Sequence, residues 1–101
     1  MPITTQWWRF TEAVVQHDRE EPGVYELGDA TQAVIYIGST NNIRRRLREH
    51  LGESATTCIK RGAAFYRIEY TTNYVARERQ LYDEYVRANG RSPRCNEVRP
   101  G

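Results

Sequence analysis

The sequence predicts a small α+β protein with an antiparallel hairpin, a third strand and helices before, between and after them. Glycine, proline and asparagine divide the 101 residues into short segments. Two of these segments are β-like and lie close enough along the chain to form a hairpin, while longer segments have helical composition. A chain of this length suits one ordinary domain, so we expect residues 1–101 to form a single unit.

Each predicted element has its own local signals. We expect helices over residues 5–17, 43–51 and 74–88, a helical turn near 58–61, strands over 23–27, 33–38 and 63–71, and an irregular tail from residue 92. Pro22-Gly23 ends the first helix. Asparagines cap the two longer helices that follow: Asn41 or Asn42 caps the first of them and Asn73 the second. Gly90 ends the last helix.

Composition narrows the expected location of the protein. No apolar run approaches the length of a membrane span, and the N-terminus lacks the charged start and apolar block of a signal peptide. We therefore expect a soluble protein of the cytoplasm, with no membrane partner. Cys58 and Cys95 have no metal-ligand spacing, and we expect both to be reduced and packed as small hydrophobic side chains.

Charge is distributed unevenly along the chain. Residues 1–43 carry two Arg and six Asp or Glu, a net charge of −4, whereas residues 44–101 carry thirteen Lys or Arg and seven Asp or Glu, a net charge of +6. This asymmetry permits a basic surface that binds phosphates, although a charged surface is usually just solvated. Fourteen of the fifteen basic residues are arginine, which can bind a phosphate through two hydrogen bonds at once.

The predicted hairpin brings two tyrosines together. A turn centred between Ala30 and Thr31 places Tyr25 directly opposite Tyr36, and cross-strand partners project from the same face of a sheet. Two phenol groups would then share one surface. A pair of tyrosines is also a common packing contact in sheets, so this feature alone leaves a structural and a functional interpretation open.

The helix predicted over residues 43–51 separates apolar from charged side chains. Helical spacing places three apolar residues on the packing side: Ile43, Leu47 and Leu51. Three arginines point away from that side: Arg44, Arg45 and Arg48. Arg46 and His50 lie at its margin, so we expect them to lean toward the sheet. Taken alone, neither is strong evidence of a site, because an arginine there can extend its charged end to solvent.

The last predicted helix contains a carboxylate where packing residues are expected. The predicted packing stripe consists of Val75, Leu81, Tyr82, Tyr85 and Val86. Glu78 falls inside this stripe. A carboxylate among packing residues requires a cation, a metal ion or several hydrogen-bond donors, or else it takes up a proton. Metal binding and an internal salt bridge to an arginine such as Arg46 both explain its position.

These residues form an ordered pattern along the chain: Gly23-Val24-Tyr25, Tyr36-Ile37-Gly38, Arg46, His50 and Glu78. The pattern resembles the motifs of the GIY-YIG nuclease superfamily, with valine in place of the name-giving isoleucine. A short motif alone would be weak evidence, whereas an ordered set of five is specific.

The resemblance covers most of the chain, about residues 22–97, and leaves the predicted N-terminal helix outside. Pro93 and Asn96 match a late proline and asparagine of the family. The resemblance implies a three-stranded antiparallel sheet flanked by helices in the order β-β-α-β-α, in agreement with the elements above. Gly23, Gly38 and Asn96 would be structural motif residues. Gly38 would end the second strand, at a place where a side chain would obstruct the site or the following turn.

The resemblance also implies an activity, the metal-dependent hydrolysis of nucleic-acid phosphodiester bonds. Glu78 would hold Mg²⁺ or Mn²⁺ together with water and phosphate oxygens. Arg46 would neutralise the charge on the phosphoryl oxygens. Tyr25 or Tyr36 would position or deprotonate the attacking water, with help from His50. A phenol is a poor base at neutral pH unless its pKa is lowered, so the identity of the general base stays open.

The expected partner is nucleic acid, with DNA as the expected kind and DNA repair or recombination as the expected setting. Arg44, Arg45 and Arg48 would bind further phosphates, and a protein partner would supply specificity that so short a chain lacks. The alternative is a non-catalytic nucleic-acid-binding module of the same fold. A third interpretation, a protein-interaction domain, would depend on Trp7 and Trp8. The oligomeric state is left open.

Overall fold

A computed structural model of the protein describes residues 2–96. These residues form the strands β1 (Trp8–Arg9), β2 (Gly23–Gly28), β3 (Val34–Thr40) and β4 (Phe65–Tyr70), and the helices α1 (Glu12–Val15), α2 (Ile43–Leu51), α3 (Thr57–Gly62) and α4 (Tyr74–Asn89). The strands form one antiparallel sheet in the order β1-β4-β2-β3. The predicted α+β class is confirmed. The end of the predicted irregular tail, residues 97–101, lies outside the described residues. In the part of the chain that is described, no helix has the length and hydropathy to cross a membrane.

The helices α2, α3 and α4 begin and end close to the predicted positions. At the start of α2, the side chain of Asn42 accepts a hydrogen bond from the backbone N–H of Arg45 at 3.0 Å. After α4, Gly90 adopts the left-handed conformation, with φ of 76°. Asn73 lies at the N-cap position of α4, but its side chain makes no capping hydrogen bond. Its backbone is not extended, unlike a typical N-cap residue.

The N-terminal helix predicted over residues 5–17 is largely replaced by an extended segment beside β4. The hydroxyl of Thr5 donates to the carbonyl of Ile68 at 2.7 Å, and the backbone N–H of Phe10 donates to the carbonyl of Ala64 at 3.0 Å. Between them, β1 pairs with β4. Pairing here satisfies backbone groups that the edge of β4 would otherwise expose, and it suits an aromatic segment. The helix is therefore limited to α1, and the three predicted strands are joined by a fourth.

The β2–β3 hairpin forms with a register different from the predicted one. Tyr25 lies opposite Gly38 rather than Tyr36, and Tyr36 lies opposite Leu27. The slip amounts to two residues along β3. Because side chains alternate between faces with a period of two, Tyr25 and Tyr36 still project from the same face as diagonal neighbours.

Two local features cause the change of register. The backbone N–H of Asp29 donates to the carbonyl of Ala33 at 3.0 Å, which centres the turn on Thr31, half a residue later than predicted. Gln32 adopts a φ of 66°, as expected at the end of a three-residue hairpin loop. An irregularity after Leu27 then adds one further residue to the β3 side.

Helices pack on both faces of the sheet. One face packs against α1, α2 and α3, and its core residues include Val15, Tyr25, Leu27, Ile43, Leu47, Ile59 and Tyr66. The other face packs against α4, with core residues Ile3, Val24, Ile37 and Leu81. α2 and α4, which carry the predicted site residues, therefore lie on opposite faces of the sheet. Both contact β3, which is an edge strand.

The packing stripe of α4 is rotated from the predicted one. Tyr74, Leu81 and Tyr85 face the core, whereas Val75 is 66% exposed. The two tyrosines bury more apolar area than a valine would, which favours this orientation of the helix. Val75 is thus wrongly placed in the predicted stripe, while Glu78 is half-buried and remains inside the observed one.

Residues 93–96 cover the outer edge of β3. The backbone N–H of Ile37 donates to Oδ1 of Asn96 at 2.9 Å, and Nδ2 of Asn96 donates to the carbonyl of Ile37 at 3.0 Å. The backbone N–H of Cys95 donates to the carbonyl of Ile35 at 2.8 Å. This segment satisfies edge groups that a neighbouring strand would otherwise pair.

Cys58 and Cys95 form a disulfide, so the prediction that both are reduced is wrong. α3 places Cys58 beside the segment that covers β3, and the Cα atoms of the two cysteines are 5.6 Å apart. A separation of 37 residues conceals this pair in the sequence, because the contact depends on the tertiary fold. The disulfide joins α3 to the segment that carries Asn96.

Candidate active site

Tyr25 and Tyr36 stack on the face of the sheet that packs against α2. Their ring centroids are 6.0 Å apart, with an angle of 23° between the ring planes. Tyr25 is buried, whereas Tyr36 is half-buried. A Cβ atom at Gly38 would lie 2.5 Å from the hydroxyl of Tyr25 and 2.9 Å from the ring of Tyr36. Bulk at position 38 would therefore obstruct the pair, as expected, but Gly38 does not end the strand because β3 continues to Thr40.

His50 completes this aromatic cluster from α2. Its Nε2 lies 2.8 Å from the hydroxyl of Tyr25, in a buried hydrogen bond. Its ring centroid is 5.5 Å from that of Tyr25 and 5.1 Å from that of Tyr36. The helical spacing that turns Leu47 toward the sheet also turns His50 inward, as the sequence predicts.

Burial keeps both members of this hydrogen bond uncharged at neutral pH. It raises the pKa of Tyr25 well above the usual value, and the neighbouring Tyr36 raises it further. Burial also lowers the pKa of His50 to about 4, with Arg46 acting in the same direction and Glu49 against it. Tyr25 is therefore a protonated phenol and His50 a neutral imidazole. When the imidazole proton is on Nδ1, Nε2 accepts the hydrogen bond from Tyr25.

Arg46 lies at the margin of the cluster. Its side chain is 39% exposed, and its Nη1 forms an ion pair with Oε1 of Glu49 at 2.8 Å. Burial alone would lower its pKa, but the hydrogen bond to Glu49 and the nearby Tyr25 raise it. Arg46 therefore carries a permanent positive charge between solvent and the tyrosines. The salt bridge to Glu78 that the sequence left open does not occur, since Arg46 pairs with Glu49 instead.

Glu78 approaches β3 from the opposite face of the sheet. Ser39 Oγ donates a hydrogen bond to Glu78 Oε1. Ser39 pairs with Val24 in the ladder and therefore faces α4, whereas its neighbour Gly38 faces the tyrosines. Within residues 2–96, Glu78 forms no ion pair and its Oε2 has no protein partner. The edge strand β3 thus lies between the carboxylate and the aromatic cluster.

The residues present fit a divalent cation only if other ligands complete its coordination. Among residues 2–96, no cluster of three His, Cys, Asp or Glu side chains could enclose a metal ion. Glu78 offers one hard oxygen ligand. Mg²⁺ retains several waters and is commonly bound by one or two carboxylates together with substrate phosphates. A single half-buried carboxylate, whose Oε2 has no partner in the described part of the chain, is consistent with that mode of binding.

The three outward arginines of α2 already have partners within the protein. Each contacts an acidic or amide side chain: Arg44 with Glu20 at 2.6 Å, Arg45 with Asn41 at 2.7 Å, and Arg48 with Glu12 at 2.9 Å. The acidic partners Glu12 and Glu20 belong to the negatively charged N-terminal part of the chain. Arg44 and Arg48 are therefore paired with acids of the protein itself, and nucleic acid would have to replace these exposed ion pairs, which are individually weak.

The remaining motif residues have structural positions. A Cβ atom at Gly23 would collide with the carbonyl oxygen of Glu69 on the neighbouring strand β4, so β2 and β4 approach closely only with glycine there. Asn96 binds the edge of β3 through its amide. Ser39 is not among the site residues that the sequence predicts. The alternation of side chains along a strand could have placed it. Ser39 follows Ile37 by two residues and must therefore share its face of the sheet.

The fold is similar to solved structures of the GIY-YIG N-terminal endonuclease domain of UvrC from Thermotoga maritima. That domain, bound to its catalytic divalent cation magnesium, matches with a TM-score of 0.62 and 24% identity over 83% of this chain and 92% of that chain. A point mutant bound to its catalytic divalent cation matches with a TM-score of 0.63 and 22% identity over 85% and 93%. The chain therefore has the GIY-YIG fold, as the resemblance predicts.

The sequence is similar to curated proteins over a shorter segment than the structural matches cover. UvrABC system protein C of Geobacter sp. (strain M21) and of Citrifermentans bemidjiense (strain ATCC BAA-1014 / DSM 16622 / JCM 12645 / Bem) are each 34% identical to this chain over 49 residues. The match covers 48% of this chain but only 8% of the length of each of these curated relatives. A family model described as a domain of unknown function (DUF7508) matches residues 1–88. The chain therefore belongs to this family of domains of unknown function.

Proposed function

We propose that this protein is a metal-dependent endonuclease that hydrolyses phosphodiester bonds of nucleic acid, with DNA as the expected substrate. The observation that carries the proposal is the polar cluster around Tyr25, whose hydroxyl lies 2.8 Å from His50 beneath the more accessible Tyr36. Buried polar groups arranged this way beside a charged arginine are typical of sites that handle protons and phosphates. The likeness to an endonuclease domain supports the same activity.

Arg46 is the residue proposed to contact the scissile phosphate. Its guanidinium is charged at any physiological pH and lies between solvent and the phenol groups. Negative charge accumulates on the phosphoryl oxygens during hydrolysis, so a fixed positive charge stabilises the transition state more than the bound substrate. To bind a phosphate, Arg46 would loosen its exposed ion pair with Glu49.

Tyr36 is the phenol proposed to orient the attacking water. It is half-buried and therefore accessible, whereas Tyr25 is buried below it. The hydrogen bond between Tyr25 and neutral His50 fixes the orientation of the inner ring, on which Tyr36 stacks. Position 38 must stay without a side chain for this stack to form. We assign Tyr25 and His50 to supporting Tyr36 from the protein interior.

Glu78 is the proposed ligand for Mg²⁺ or Mn²⁺. Such a cation supplies Lewis-acid stabilisation of the phosphate oxygens when it is bound. Glu78 would hold it through Oε2, the carboxylate oxygen without a partner among residues 2–96, with waters and phosphate as the remaining ligands. The side chain approaches the edge of β3 from the α4 face, while the tyrosines approach from the α2 face. The proposed position of the phosphodiester is therefore near Gly38 and Ser39 of β3, beyond the part of the edge that residues 93–96 cover.

A cleavage assay tests the proposal. The protein is incubated with supercoiled plasmid, branched DNA, single-stranded DNA and RNA, each with Mg²⁺, Mn²⁺ or EDTA. We expect cleavage of at least one substrate with either metal and none with EDTA, and the Glu78→Gln variant serves as the inactive control. Binding to nucleic acid without cleavage under every condition would contradict the proposal and favour the alternative, a non-catalytic binding module of the same fold.

A further inference from the structure

We propose that Ser39 is a positioning residue for the metal ligand: it holds one oxygen of the Glu78 carboxylate and leaves the other for a divalent cation. The inference rests on the proposed function. It adds a residue that none of the GIY-YIG motifs quoted above includes, and it explains how a site with a single carboxylate can be ordered before substrate binds.

The geometry separates the two oxygens of Glu78. Ser39 Oγ donates to Oε1, and within residues 2–96 Oε2 has no protein partner. Both residues are half-buried. Ser39 belongs to an edge strand held by the β2 ladder on one side and by Asn96 on the other. The hydroxyl therefore projects from a fixed backbone, so it can orient a longer and more flexible side chain.

Orientation matters here because so few protein ligands are available. A glutamate side chain has three rotatable bonds, and ordering it costs conformational entropy. In a site with several carboxylates, that cost is shared among mutually restrained ligands. In a site with one, a hydrogen bond to the ligand must restrain it. Residues of this kind typically change metal affinity by about 10- to 100-fold when they are replaced.

The purely structural alternative is that the Ser39 hydrogen bond only fastens α4 to the sheet. α4 is already fastened by other contacts. Arg77 binds Glu69 of β4 through two hydrogen bonds of 2.7 Å and 3.1 Å, and Leu81 is buried against the sheet. These contacts hold the helix without Ser39. They also provide a control, since Glu69→Gln weakens the docking of α4 without touching Glu78.

The test is the affinity for Mn²⁺, measured by electron paramagnetic resonance without nucleic acid. Ser39→Val and Ser39→Thr have the same shape, suit a strand equally well, and differ in the hydroxyl. We expect Ser39→Val to weaken Mn²⁺ binding by about 10- to 100-fold. Ser39→Thr should stay within about threefold of the unmodified protein, because its hydroxyl replaces that of serine. Glu69→Gln should leave the affinity unchanged.

The outcomes separate this inference from the proposed function. If the unmodified protein binds Mn²⁺, Glu78→Gln does not, and Ser39→Val binds as well as Ser39→Thr, then Ser39 has no positioning role although Glu78 remains the ligand. Equal losses in Ser39→Val and Glu69→Gln would also overturn the inference, because docking of α4 would then explain both. If the unmodified protein itself binds no Mn²⁺, the assignment of Glu78 as a metal ligand is wrong, and the positioning role of Ser39 is wrong with it. Ser39→Ala takes the place of Ser39→Val if that variant does not fold.

Discussion

The two faces of the sheet differ in the charge of the ionisable side chains that they carry. On the α2 face, burial keeps the Tyr25 phenol and the His50 imidazole neutral, and the positively charged Arg46 lies at their margin. The carboxylates on the α4 face include Glu26, Glu69 and Glu78, and the first two have arginine partners: Glu26 pairs with Arg67 at 2.7 Å and Glu69 with Arg77 at 2.7 Å. The third, Glu78, has a serine hydroxyl in place of an arginine.

This difference indicates where a cation would be accepted. Glu26 is almost fully buried, and burial raises its pKa while Arg67 lowers it. Its charge is balanced within the protein. The charge of Glu78 is not balanced by any ion pair in residues 2–96, although the side chain is half-buried. Carboxylates removed from water require a compensating positive charge, and the proposed divalent cation would supply that charge at Glu78.

The largest effect is expected from Glu78→Gln. The amide keeps the volume and can still accept the hydrogen bond from Ser39, so the free energy of unfolding should change by less than about 1 kcal/mol. Cleavage should fall by about 10³-fold or more, because Lewis-acid stabilisation contributes several kcal/mol. Mn²⁺ should raise the melting temperature of the unmodified protein and not that of the variant. Cleavage assays and thermal melts measure both effects.

Glu69→Gln is the matched control, because it makes the same chemical change on the same face. It removes charge from a carboxylate that already has an arginine partner, so it should lower stability while cleavage persists. Equal cleavage by Glu78→Gln and the unmodified protein would show that Glu78 has no catalytic role. The contrast between Glu78 and the carboxylates that have arginine partners would then have no functional meaning.

Arg46→Ala tests the α2 face. The rate of cleavage within the bound complex should fall by about 10²- to 10³-fold, with a much smaller loss of substrate affinity, because the proposed contact strengthens as charge develops. Single-turnover kinetics separate the two quantities. Arg45→Ala, on the same helix but bonded to Asn41, is the control and should cleave nearly normally. Equal losses in affinity and rate would make Arg46 an ordinary phosphate anchor.

Elements with strong local signals were predictable from the sequence. α2 spans residues 43–51 in prediction and structure alike, because an asparagine cap and a regular apolar period act on the same segment. The inward direction of His50 followed from the same period. The hairpin strands were also expected, but their register depended on a left-handed Gln32 and an irregularity after Leu27, neither of which has a distinctive composition.

Features that depend on contacts between distant residues were missed. The segment predicted as a helix over residues 5–17 pairs with β4 instead, since an exposed strand edge outweighs local helical preference. The Cys58–Cys95 disulfide and the Ser39–Glu78 hydrogen bond each join residues more than thirty positions apart. Face alternation could have placed Ser39 and Glu78 on the same side, but their contact requires the docking of α4.

Removing the disulfide tests whether both faces depend on β3. The double variant Cys58→Ser, Cys95→Ser should lose about 2 to 4 kcal/mol of unfolding free energy, the usual range for a loop of this length. Urea unfolding measures the loss. Dithiothreitol should destabilise the unmodified protein and leave the variant unaffected. Because Cys95 lies next to Asn96 at the edge of β3, cleavage by the folded variant should also fall modestly, by less than about tenfold.

The control for this experiment is Asn96→Ala, which releases the same edge without changing the disulfide. It should also reduce cleavage, because Ile37 loses both hydrogen bonds that hold β3. If neither variant alters cleavage while both lose stability, the geometry of β3 does not limit the reaction. The side chains on the two faces would then not depend on the exact position of β3 for cleavage, although they share this strand.

The neutral state of His50 predicts an acid-dependent loss of stability. Its pKa is about 4 in the folded protein and about 6.5 in the unfolded chain. The unfolded chain therefore binds the proton first as the pH falls, so this contribution to stability is complete above pH 6.5 and is lost progressively toward pH 4. The expected loss is up to about 3 kcal/mol. Urea unfolding at several pH values measures it.

The difference between His50→Gln and the unmodified protein isolates this effect from other titrating groups. The variant should lose less stability between pH 7 and pH 4.5, since it has no imidazole to protonate. His17→Gln changes the other histidine, which is exposed, and should retain the acid sensitivity of the unmodified protein. Identical pH dependence in His50→Gln and the unmodified protein would mean that His50 is not held neutral by burial.

The smallest effect is expected from the arginines of α2 that point away from the aromatic cluster. Replacing Arg44, Arg45 and Arg48 with Gln should weaken nucleic-acid binding and flatten its salt dependence, by about 0.7 to 0.9 in slope for each phosphate that the protein no longer neutralises. Because Glu20 and Glu12 already pair with Arg44 and Arg48, we expect the change in slope to correspond to fewer than three phosphates. Binding titrations from low to high salt measure the slope.

Glu12→Gln combined with Glu20→Gln provides the opposite change. It releases Arg44 and Arg48 without removing any positive charge, so binding should tighten and the slope should become steeper. Exposed ion pairs are individually weak, so stability should change by less than about 1 kcal/mol for each pair. If both the arginine and the glutamate variants bind with the slope of the unmodified protein, these arginines only pair with the N-terminal acids. Phosphate binding would then be confined to the edge of β3, between Arg46 and Glu78.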